Sequence, residues 1–309
     1  MKILFFGTPA YVVPILEGLH KAYNRGKTER ELIGVLTQSP KPSGREHHVE
    51  FSAVDTFAHA HKIDIYFDAN KLPEADLAIC AAYGKIIPQN VIEKFPLGIL
   101  NIHPSLLPQF RGASPIQSTI LEGVQTTGVT IIKMDADLDH GPIVSSFKSV
   151  VTETDTNETL RDRLFQESVD FLLELIPHYI SGKINLKEQD HSKATYTKPT
   201  LKEDGYIPGE FLAMALEGKT SESEWNIRFI KDFTISPTIE SIERYIRSLA
   251  PWPGTFTFVT INNEKKRLKI LSAHVSDEQL VLDEVQLEGK NPVSFEQFKT
   301  GYPSFTFSS

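Results

Sequence analysis

The sequence lacks several features that would have pointed to particular classes of protein. It holds a single cysteine, Cys80, which excludes an internal disulfide and any cysteine-rich zinc site. No G-x-G-x-x-G motif follows the first apolar segment, so a dinucleotide cofactor is not expected. No apolar run approaches the length of a transmembrane helix, and the run at residues 3–6 is too short for a signal peptide. These absences favour a cytoplasmic protein that has no membrane partner.

An excess of positive charge is also missing. The formal net charge is −8, which argues against a broadly basic nucleic-acid binder but leaves room for local basic patches. Hydrophobic residues make up 40% of the 309 residues and charged residues 23%, as in ordinary globular proteins. A chain of this length is expected to form two domains or one large one.

The first half of the chain alternates apolar runs with segments of helical spacing. Residues 2–6 predict a strand, residues 7–9 a glycine turn and residues 11–19 a helix. Residues 32–37 and 77–82 predict further buried strands. A helix is expected to begin at Lys85, and another at residues 115–121 with Ser114 as its cap. This alternation indicates an α/β fold, with a Rossmann-like, doubly wound and mostly parallel sheet.

The last part of the chain has a different pattern. Short apolar runs at residues 257–261, 268–271 and 280–282 are separated by turns, which predicts a smaller C-terminal β-barrel of the OB-like kind. Residues 205–309 carry 11 basic against 14 acidic residues. The one basic cluster, at residues 265–269, is interpreted as a solvated hairpin edge, because charged side chains commonly protect such edges.

Two polar residues follow the apolar run at residues 98–100. Asn101 and His103 are two positions apart, so in extended backbone both side chains lie on one face. An amide donor and an imidazole at a strand end could stabilise an oxyanion and move a proton. The simpler interpretation of an isolated Asn-x-His is a polar turn whose histidine is bonded to the backbone.

A later loop favours the first interpretation. Asp139 lies in the sequence Leu-Asp-His-Gly after the predicted strand at residues 129–134. Together the two segments resemble the folate-dependent formyltransferase family, in which such an Asn, His and Asp act as the catalytic set. The resemblance implies 10-formyltetrahydrofolate as co-substrate and no metal ion. It implies that the following residues contact the folate: Lys85, Ile86, Ile87, Ser105, Leu106, Leu107, Pro108 and Asp135.

Further motifs resemble the methionyl-tRNA formyltransferases within this family. They are Phe-Gly-Thr-Pro at residues 6–9, Pro-Lys-Pro-Ser-Gly-Arg at 40–45, Arg-Gly-Ala-Ser-Pro-Ile-Gln at 111–117 and Pro-Trp-Pro-Gly at 251–254. The resemblance implies methionyl initiator tRNA as acceptor, contacted by Arg45 and Lys41 in a loop expected to be exposed. It also implies a catalytic domain at residues 1–189, a linker at 190–206, a tRNA-binding domain at 207–309, and a monomer.

Two other functions stay open at this point. One is formyl transfer to a small amine, such as an amino sugar nucleotide or glycinamide ribonucleotide, which the acidic C-terminal part keeps in consideration. The other is a catalytically inactive folate- or tRNA-binding module, against which the intact Asn101, His103 and Asp139 argue. In the favoured mechanism, Asn101 and a protonated His103 stabilise the oxyanion, Asp139 keeps His103 charged, and His140 is interpreted as loop surface.

Overall fold

The computed structural model describes residues 1–24, 30–43 and 48–308. The chain forms two compact units, each with its own hydrophobic core. The first comprises residues 1–111, 128–149 and 161–194, and the second comprises residues 112–127, 150–160 and 195–309. Across these described ranges, no helix is both long enough and apolar enough to span a bilayer.

The described part of the chain holds strands of two to thirteen residues. They are β1 (Lys2–Gly7), β2 (Glu31–Leu36), β3 (Lys41–Ser43), β4 (His48–Glu50), β5 (Ile65–Tyr66), β6 (Leu77–Ala81), β7 (Ile99–His103), β8 (Arg111–Gly112), β9 (Thr126–Lys133), β10 (Ile143–Val150), β11 (Tyr196–Thr197), β12 (Trp225–Asn226), β13 (Thr234–Ile235), β14 (Thr255–Ile261), β15 (Glu264–Ser276), β16 (Gln279–Leu287), β17 (Val293–Ser294) and β18 (Thr306–Ser308).

Helices connect many of these strands. They are α1 (Val13–Asn24), α2 (Ala53–Ala60), α3 (Gln89–Ile92), α4 (Pro115–Leu121), α5 (Asn157–Ile180), α6 (Gly209–Leu216), α7 (Ile239–Ser248) and α8 (Phe295–Gly301), with short 3₁₀ helices at Ala10–Val12, Ala69–Lys71, His191–Lys193 and Lys202–Gly205.

The largest sheet among the described residues has seven strands in the order β10-β9-β7-β6-β1-β2-β5. The strands from β7 to β5 in this order run parallel to their neighbours, and β9 is antiparallel to β7. The central strands β1 and β6 are apolar and almost completely buried, as expected for parallel strands covered on both faces. The predicted α/β class with a mostly parallel sheet is confirmed.

The second unit is built on an antiparallel sheet in the order β17-β16-β15-β14-β18. Alternate residues of β14 and β15 face its core, among them Val259, Ile261, Leu268 and Ile270. Helix α7 packs on this core through an apolar stripe and begins with a capping box in which the Thr238 side chain accepts a hydrogen bond from the Ser241 N–H. This smaller β domain also agrees with the predicted fold class.

The segment at residues 208–239, for which the sequence suggests no role, supplies part of that core. It forms α6, β12 and β13, and it buries Ile227, Phe229 and Ile230 in the second unit. The ring of Trp225 packs on that of Tyr245 in α7, with centroids 4.3 Å apart. The segment is therefore structural, because its apolar side chains complete the hydrophobic cluster.

Several local predictions are wrong. The helix expected at Lys85 begins only at Gln89, since the preceding residues continue as coil. Ser114 is the N-cap of α4, but its hydroxyl does not cap the helix and donates instead to the Lys198 carbonyl at 2.7 Å. The segment expected as an exposed loop after β2 is exposed at Lys41, as predicted, but part of it forms an antiparallel hairpin in which Lys41 pairs with Glu50.

The basic cluster at residues 265–269 lies on β15 and pairs with β14 along its whole length, whereas the pairing with β16 begins only at Leu268. Lys265 and Lys269 are exposed, which agrees with the predicted solvated hairpin edge, but Lys269 lies between two strands. The guanidinium of Arg267 lies 3.6 Å from the centre of the Phe256 ring, and the ammonium of Lys265 lies 4.9 Å from that of Phe258. Cation–π contacts with aromatic neighbours therefore hold these two side chains.

The Cys80 thiol is expected to react slowly in the folded protein. Cys80 is buried in β6, and burial raises its pKa to about 12, so its thiolate is scarce at pH 8. Because Cys80 is the only cysteine, labelling with a thiol reagent reports this site alone. We expect labelling at pH 8 to be slower than in urea by a factor of about 100 or more. Equal rates would show that the thiol is exposed.

Gly205→Ala is expected to destabilise the second unit. A Cβ at this position would lie 2.0 Å from the Gly254 carbonyl oxygen, so backbone must move, at a cost of about 2 kcal/mol or more. Gly301→Ala is the matched control, because nothing lies within 4 Å of its Cβ. Urea unfolding followed by tryptophan fluorescence measures the difference, since both tryptophans, Trp225 and Trp252, are in this unit. Equal unfolding midpoints would contradict the close packing at Gly205.

Candidate active site

The site begins at the carboxyl end of β7. This strand extends through Asn101 and His103, whose spacing places both side chains on one face of the sheet. Asn101 lies beside Cys80 of β6 and opposite Ile132 of β9, and His103 lies opposite Thr130. Both polar side chains are therefore fixed by sheet register rather than by a flexible turn.

Asp139 reaches the same position from the loop between β9 and β10. Its Oδ1 accepts a hydrogen bond from the Asn101 amide at 3.2 Å, and its Oδ2 lies 3.5 Å from His103 Nδ1. The loop can close because Gly141 has no side chain: a Cβ there would lie 1.9 Å from the Lys133 carbonyl oxygen. The structure thus brings together the three residues that the sequence predicts as the catalytic set.

The imidazole of His103 is buried, and both of its ring nitrogens face oxygen atoms. Nε2 is 2.9 Å from the Phe110 carbonyl, which can only accept, so Nε2 carries a proton in this arrangement. Nδ1 faces the Asp139 carboxylate, with which a protonated Nδ1 forms an ion pair. The contact of 3.5 Å is longer than a strong hydrogen bond, so the Nδ1 proton can also be donated to a third group.

The turn at residues 105–108 follows His103 and is held by internal hydrogen bonds. Ser105 is buried, and its hydroxyl donates to the Gln109 carbonyl at 2.7 Å. The Thr130 hydroxyl donates to the Ser105 carbonyl at 2.7 Å and accepts from the Leu107 N–H at 3.0 Å. Leu107 is buried, whereas Leu106 and Pro108 are half-buried. Thr130 is a contact that sequence reasoning missed, because the residue lies inside an apolar strand.

The chain leaving β6 lies at the same edge of the sheet. Lys85 and Ile86 are exposed, the latter to 92%, and Ile87 is buried. The Tyr83 carbonyl accepts hydrogen bonds from the Thr8 hydroxyl at 2.9 Å and the Gln38 amide at 3.1 Å. The carboxyl ends of β1, β2 and β6 are thereby joined next to β7, which is the usual place for a ligand in this architecture.

Lys41 is connected to this edge through Gln38. Its exposed side chain donates to Gln38 Oε1 at 3.1 Å, and the same glutamine amide contacts the carbonyl of Tyr83. The hairpin that carries Lys41 therefore begins beside the segment that contains Lys85. Arg45, the other predicted tRNA contact, lies outside the described residues.

Asp135 makes local contacts within the loop of Asp139. Its carboxylate accepts from the Asp137 N–H at 3.1 Å and pairs with His140 Nδ1 at 2.7 Å. The His140 ring stacks on that of His191, with centroids 4.0 Å apart and planes at 3°. Reading His140 as loop surface is therefore wrong in part, because its ring face is covered and its Nδ1 is bonded.

Two buried polar residues, Gln189 and Arg111, support the loop that carries Asp139. Gln189 donates to the carbonyl of Asp139 at 2.9 Å and to that of Gly141 at 2.7 Å, and it accepts from Arg111. Sequence reasoning missed Gln189, because it lies in a polar connector 50 residues after Asp139, with no local pattern to mark it. Only the tertiary structure shows these contacts.

The electrostatics of the site are those of a carboxylate in a partly buried position. The Asp139 side chain is 12% exposed, and its negative charge adds to the effect of burial in raising the pKa of Cys80. Among the described residues, no group of three or more histidine, cysteine, aspartate or glutamate side chains is arranged to hold a metal ion. The arrangement can donate hydrogen bonds to a developing oxyanion and accept a proton on a carboxylate.

Family models match both parts of the chain. A model described as formyl transferase matches residues 1–176, and one described as the formyl transferase C-terminal domain matches residues 232–280. The first match includes Asn101, His103 and Asp139, and it spans more than half of the chain.

Curated relatives are similar over most of the length. The methionyl-tRNA formyltransferase of Chloroflexus aggregans is 35% identical over 286 residues, covering 89% of this chain and 81% of the relative. The methionyl-tRNA formyltransferase of Thermotoga maritima is 36% identical over 301 residues, covering 94% of this chain and 85% of the relative.

Solved structures agree in fold. The methionyl-tRNA formyltransferase from Clostridium thermocellum is similar with a TM-score of 0.57, covering 93% of this chain and 98% of that one, at 20% identity. At that identity the likeness is evidence for the fold alone. From the family models and the curated relatives, this chain belongs to the formyl transferase family, and over most of its length it is similar to the methionyl-tRNA formyltransferases.

Proposed function

We propose that this protein transfers a formyl group from 10-formyltetrahydrofolate to the α-amino group of methionyl initiator tRNA. The proposal rests on the contacts of Asp139 with Asn101 and His103 at the carboxyl end of β7. The similarity to methionyl-tRNA formyltransferases supports the acceptor. A cytoplasmic location, where translation is initiated, is part of this proposal.

The reaction needs a site that stabilises one oxyanion and moves one proton. The amine nitrogen attacks the formyl carbon, and the carbonyl oxygen takes the negative charge. When the tetrahedral intermediate collapses, the carbonyl re-forms and the bond from carbon to folate N10 breaks. The amine loses a proton and N10 gains one, so that N-formyl product and tetrahydrofolate leave.

Asn101 and His103 fit the first requirement. One amide hydrogen of Asn101 is donated to Asp139, which leaves the other for the oxyanion. The proton on His103 Nδ1 faces the same side, and its contact of 3.5 Å with Asp139 is long enough for it to be donated to the substrate oxygen instead. Each such donor contributes about 3 kcal/mol to stabilisation of the transition state.

Asp139 fits the second requirement. Its carboxylate lies 3.5 Å from His103 Nδ1, and its partial exposure allows a water molecule to pass the amine proton to it. The folate is proposed to lie along the turn at residues 105–108 and the segment at residues 85–87, with Asp135 nearby. These segments leave adjacent parallel strands at one edge of the sheet, which supports this placement.

The acceptor is proposed to approach over the hairpin of β3 and β4. Lys41 is exposed there and donates to the neutral side-chain amide of Gln38, so its charge is available to a phosphate. Arg45 is proposed as a second contact of the same kind. The second unit, residues 207–309 in particular, is proposed to bind the body of the tRNA, with residues 190–206 as linker and a monomer as the active form.

His103→Ala is expected to lower kcat/KM for formyl transfer to methionyl initiator tRNA by about 100- to 1000-fold, because it removes an oxyanion donor. Transfer of radiolabelled formyl from 10-formyltetrahydrofolate measures this directly. His178→Ala, an exposed histidine on α5, is the control and should keep wild-type activity. Turnover of an amino sugar nucleotide without turnover of the tRNA by the wild type would overturn the proposed acceptor.

Lys41→Ala is expected to raise KM for the tRNA several-fold while leaving KM for the folate unchanged. The loss of one phosphate contact should also reduce the slope of log affinity against log salt by about 1. Lys183→Ala, another exposed lysine of the first unit, is the matched control. An unchanged salt slope in Lys41→Ala would remove this residue from the proposed tRNA contact.

A further inference from the structure

Gln189 uses every hydrogen-bonding position of its side chain inside the first unit. It is buried, its two amide hydrogens go to the carbonyl oxygens of Asp139 and Gly141, and its oxygen accepts from both Nε and Nη2 of Arg111. A buried amide with four partners is strongly held, because any displacement leaves polar groups without partners. Gln189 therefore fixes the position of the backbone on both sides of His140.

This network closes a ring around His103. Arg111 is almost completely buried and directly follows Phe110, whose carbonyl faces His103 Nε2. From Arg111 the contacts run through Gln189 to Asp139, whose carboxylate faces His103 Nδ1. The two sides of the imidazole are thus connected through the backbone from Phe110 to Arg111 and the hydrogen bonds of Gln189 with Arg111 and Asp139.

The backbone of Asp139 needs such support. Its φ is +49°, in the left-handed region that residues other than glycine rarely adopt. Phe110, on the other side of the imidazole, has φ +59°. A hydrogen bond from Gln189 to the Asp139 carbonyl holds this conformation, which directs the carboxylate between Asn101 and His103.

The connector that carries Gln189 is itself fixed. The exposed carboxylate of Asp190 accepts hydrogen bonds from Ser192 at the start of the 3₁₀ helix His191–Lys193 and pairs with Lys193, and these contacts lower the pKa of Asp190 to about 2. Arg111 also donates to His191 Nδ1 at 2.8 Å. The side chain of Gln189 is therefore presented from a stiff turn.

We propose that Gln189, anchored by Arg111, is a positioning residue for formyl transfer: it holds the Asp139 loop so that the carboxylate faces His103 and Asn101. The inference rests on the proposed function. In this role Gln189 contacts neither the folate nor the acceptor. Replacing its side chain should therefore lower the rate of the chemical step and leave substrate binding unchanged. A displacement of about 1 Å in a catalytic group can cost about 100-fold in rate.

Gln189→Glu separates positioning from folding. The new carboxylate keeps the acceptor for Arg111 and pairs with its charge, which preserves the buried guanidinium. It loses both donors, however, and it would face the carbonyl oxygens of Asp139 and Gly141 with negative charge. Gln166→Glu makes the same change on the exposed face of α5 and is the matched control.

The experiment measures kcat and KM for both substrates, with active sites counted by calorimetric titration with tetrahydrofolate. Per folate-binding site, we expect kcat of Gln189→Glu to fall about 10- to 100-fold, both KM values to stay within about threefold, and Gln166→Glu to match the wild type. A fall in kcat without a rise in either KM separates lost positioning from lost binding, because Gln189 contacts neither proposed substrate.

Three outcomes separate the inference from the proposed function. An unchanged kcat per folate-binding site in Gln189→Glu, with an active wild type, would overturn the positioning role alone. A fall in activity that is matched by the loss of folate-binding sites would show a structural role only and would also overturn it. An inactive wild type would overturn the proposed function. The ¹⁵N resonances of the His103 ring would then test the network alone, and equal resonances in wild type and Gln189→Glu would overturn it.

Discussion

Burial of the apolar strands β1, β6 and β7 in a parallel sheet is the constraint on which the candidate site depends. Their apolar side chains leave water only when both faces of the sheet are covered, and the pairing of β6 with β1 and β7 then sets the register. The register places Asn101 beside Cys80 and brings the chain ends of four parallel strands to one edge. The polar residues of the site are therefore positioned by hydrophobic burial, which has no polar specificity of its own.

Polar contacts between residues that are distant in the sequence then determine how the side chains are arranged at that edge. His103 stands between a carbonyl and a carboxylate, and a ring of hydrogen bonds through Arg111 and Gln189 connects the two. Such buried groups cost free energy unless each has a partner, which favours the arrangement in which all of them are paired. The same requirement fixes the turn after His103, where the Thr130 hydroxyl bridges the Ser105 carbonyl and the Leu107 N–H.

The errors made from sequence have physical causes. Ser114 has the right residue type for a helix cap, but its hydroxyl donates to the carbonyl of Lys198 and accepts no hydrogen bond from the first turn of α4. The helix expected at Lys85 is delayed to Gln89, after Pro88, because the segment leaving β6 is held instead by contacts from Thr8 and Gln38 to Tyr83. In the basic cluster at residues 265–269, Arg267 and Lys265 lie over the rings of Phe256 and Phe258 on β14, and a local pattern does not reveal these partners.

The sequence by itself determined the α/β class, the smaller β domain and the spacing that puts Asn101 and His103 on one face. Hydrophobic periodicity is local, so these features can be derived from neighbouring residues. Only the tertiary structure decided that Asp139 lies against both residues in a left-handed conformation, and that Gln189 holds it there. Those contacts join residues 38 and 50 positions apart, and their energy depends on burial and geometry that no local pattern contains.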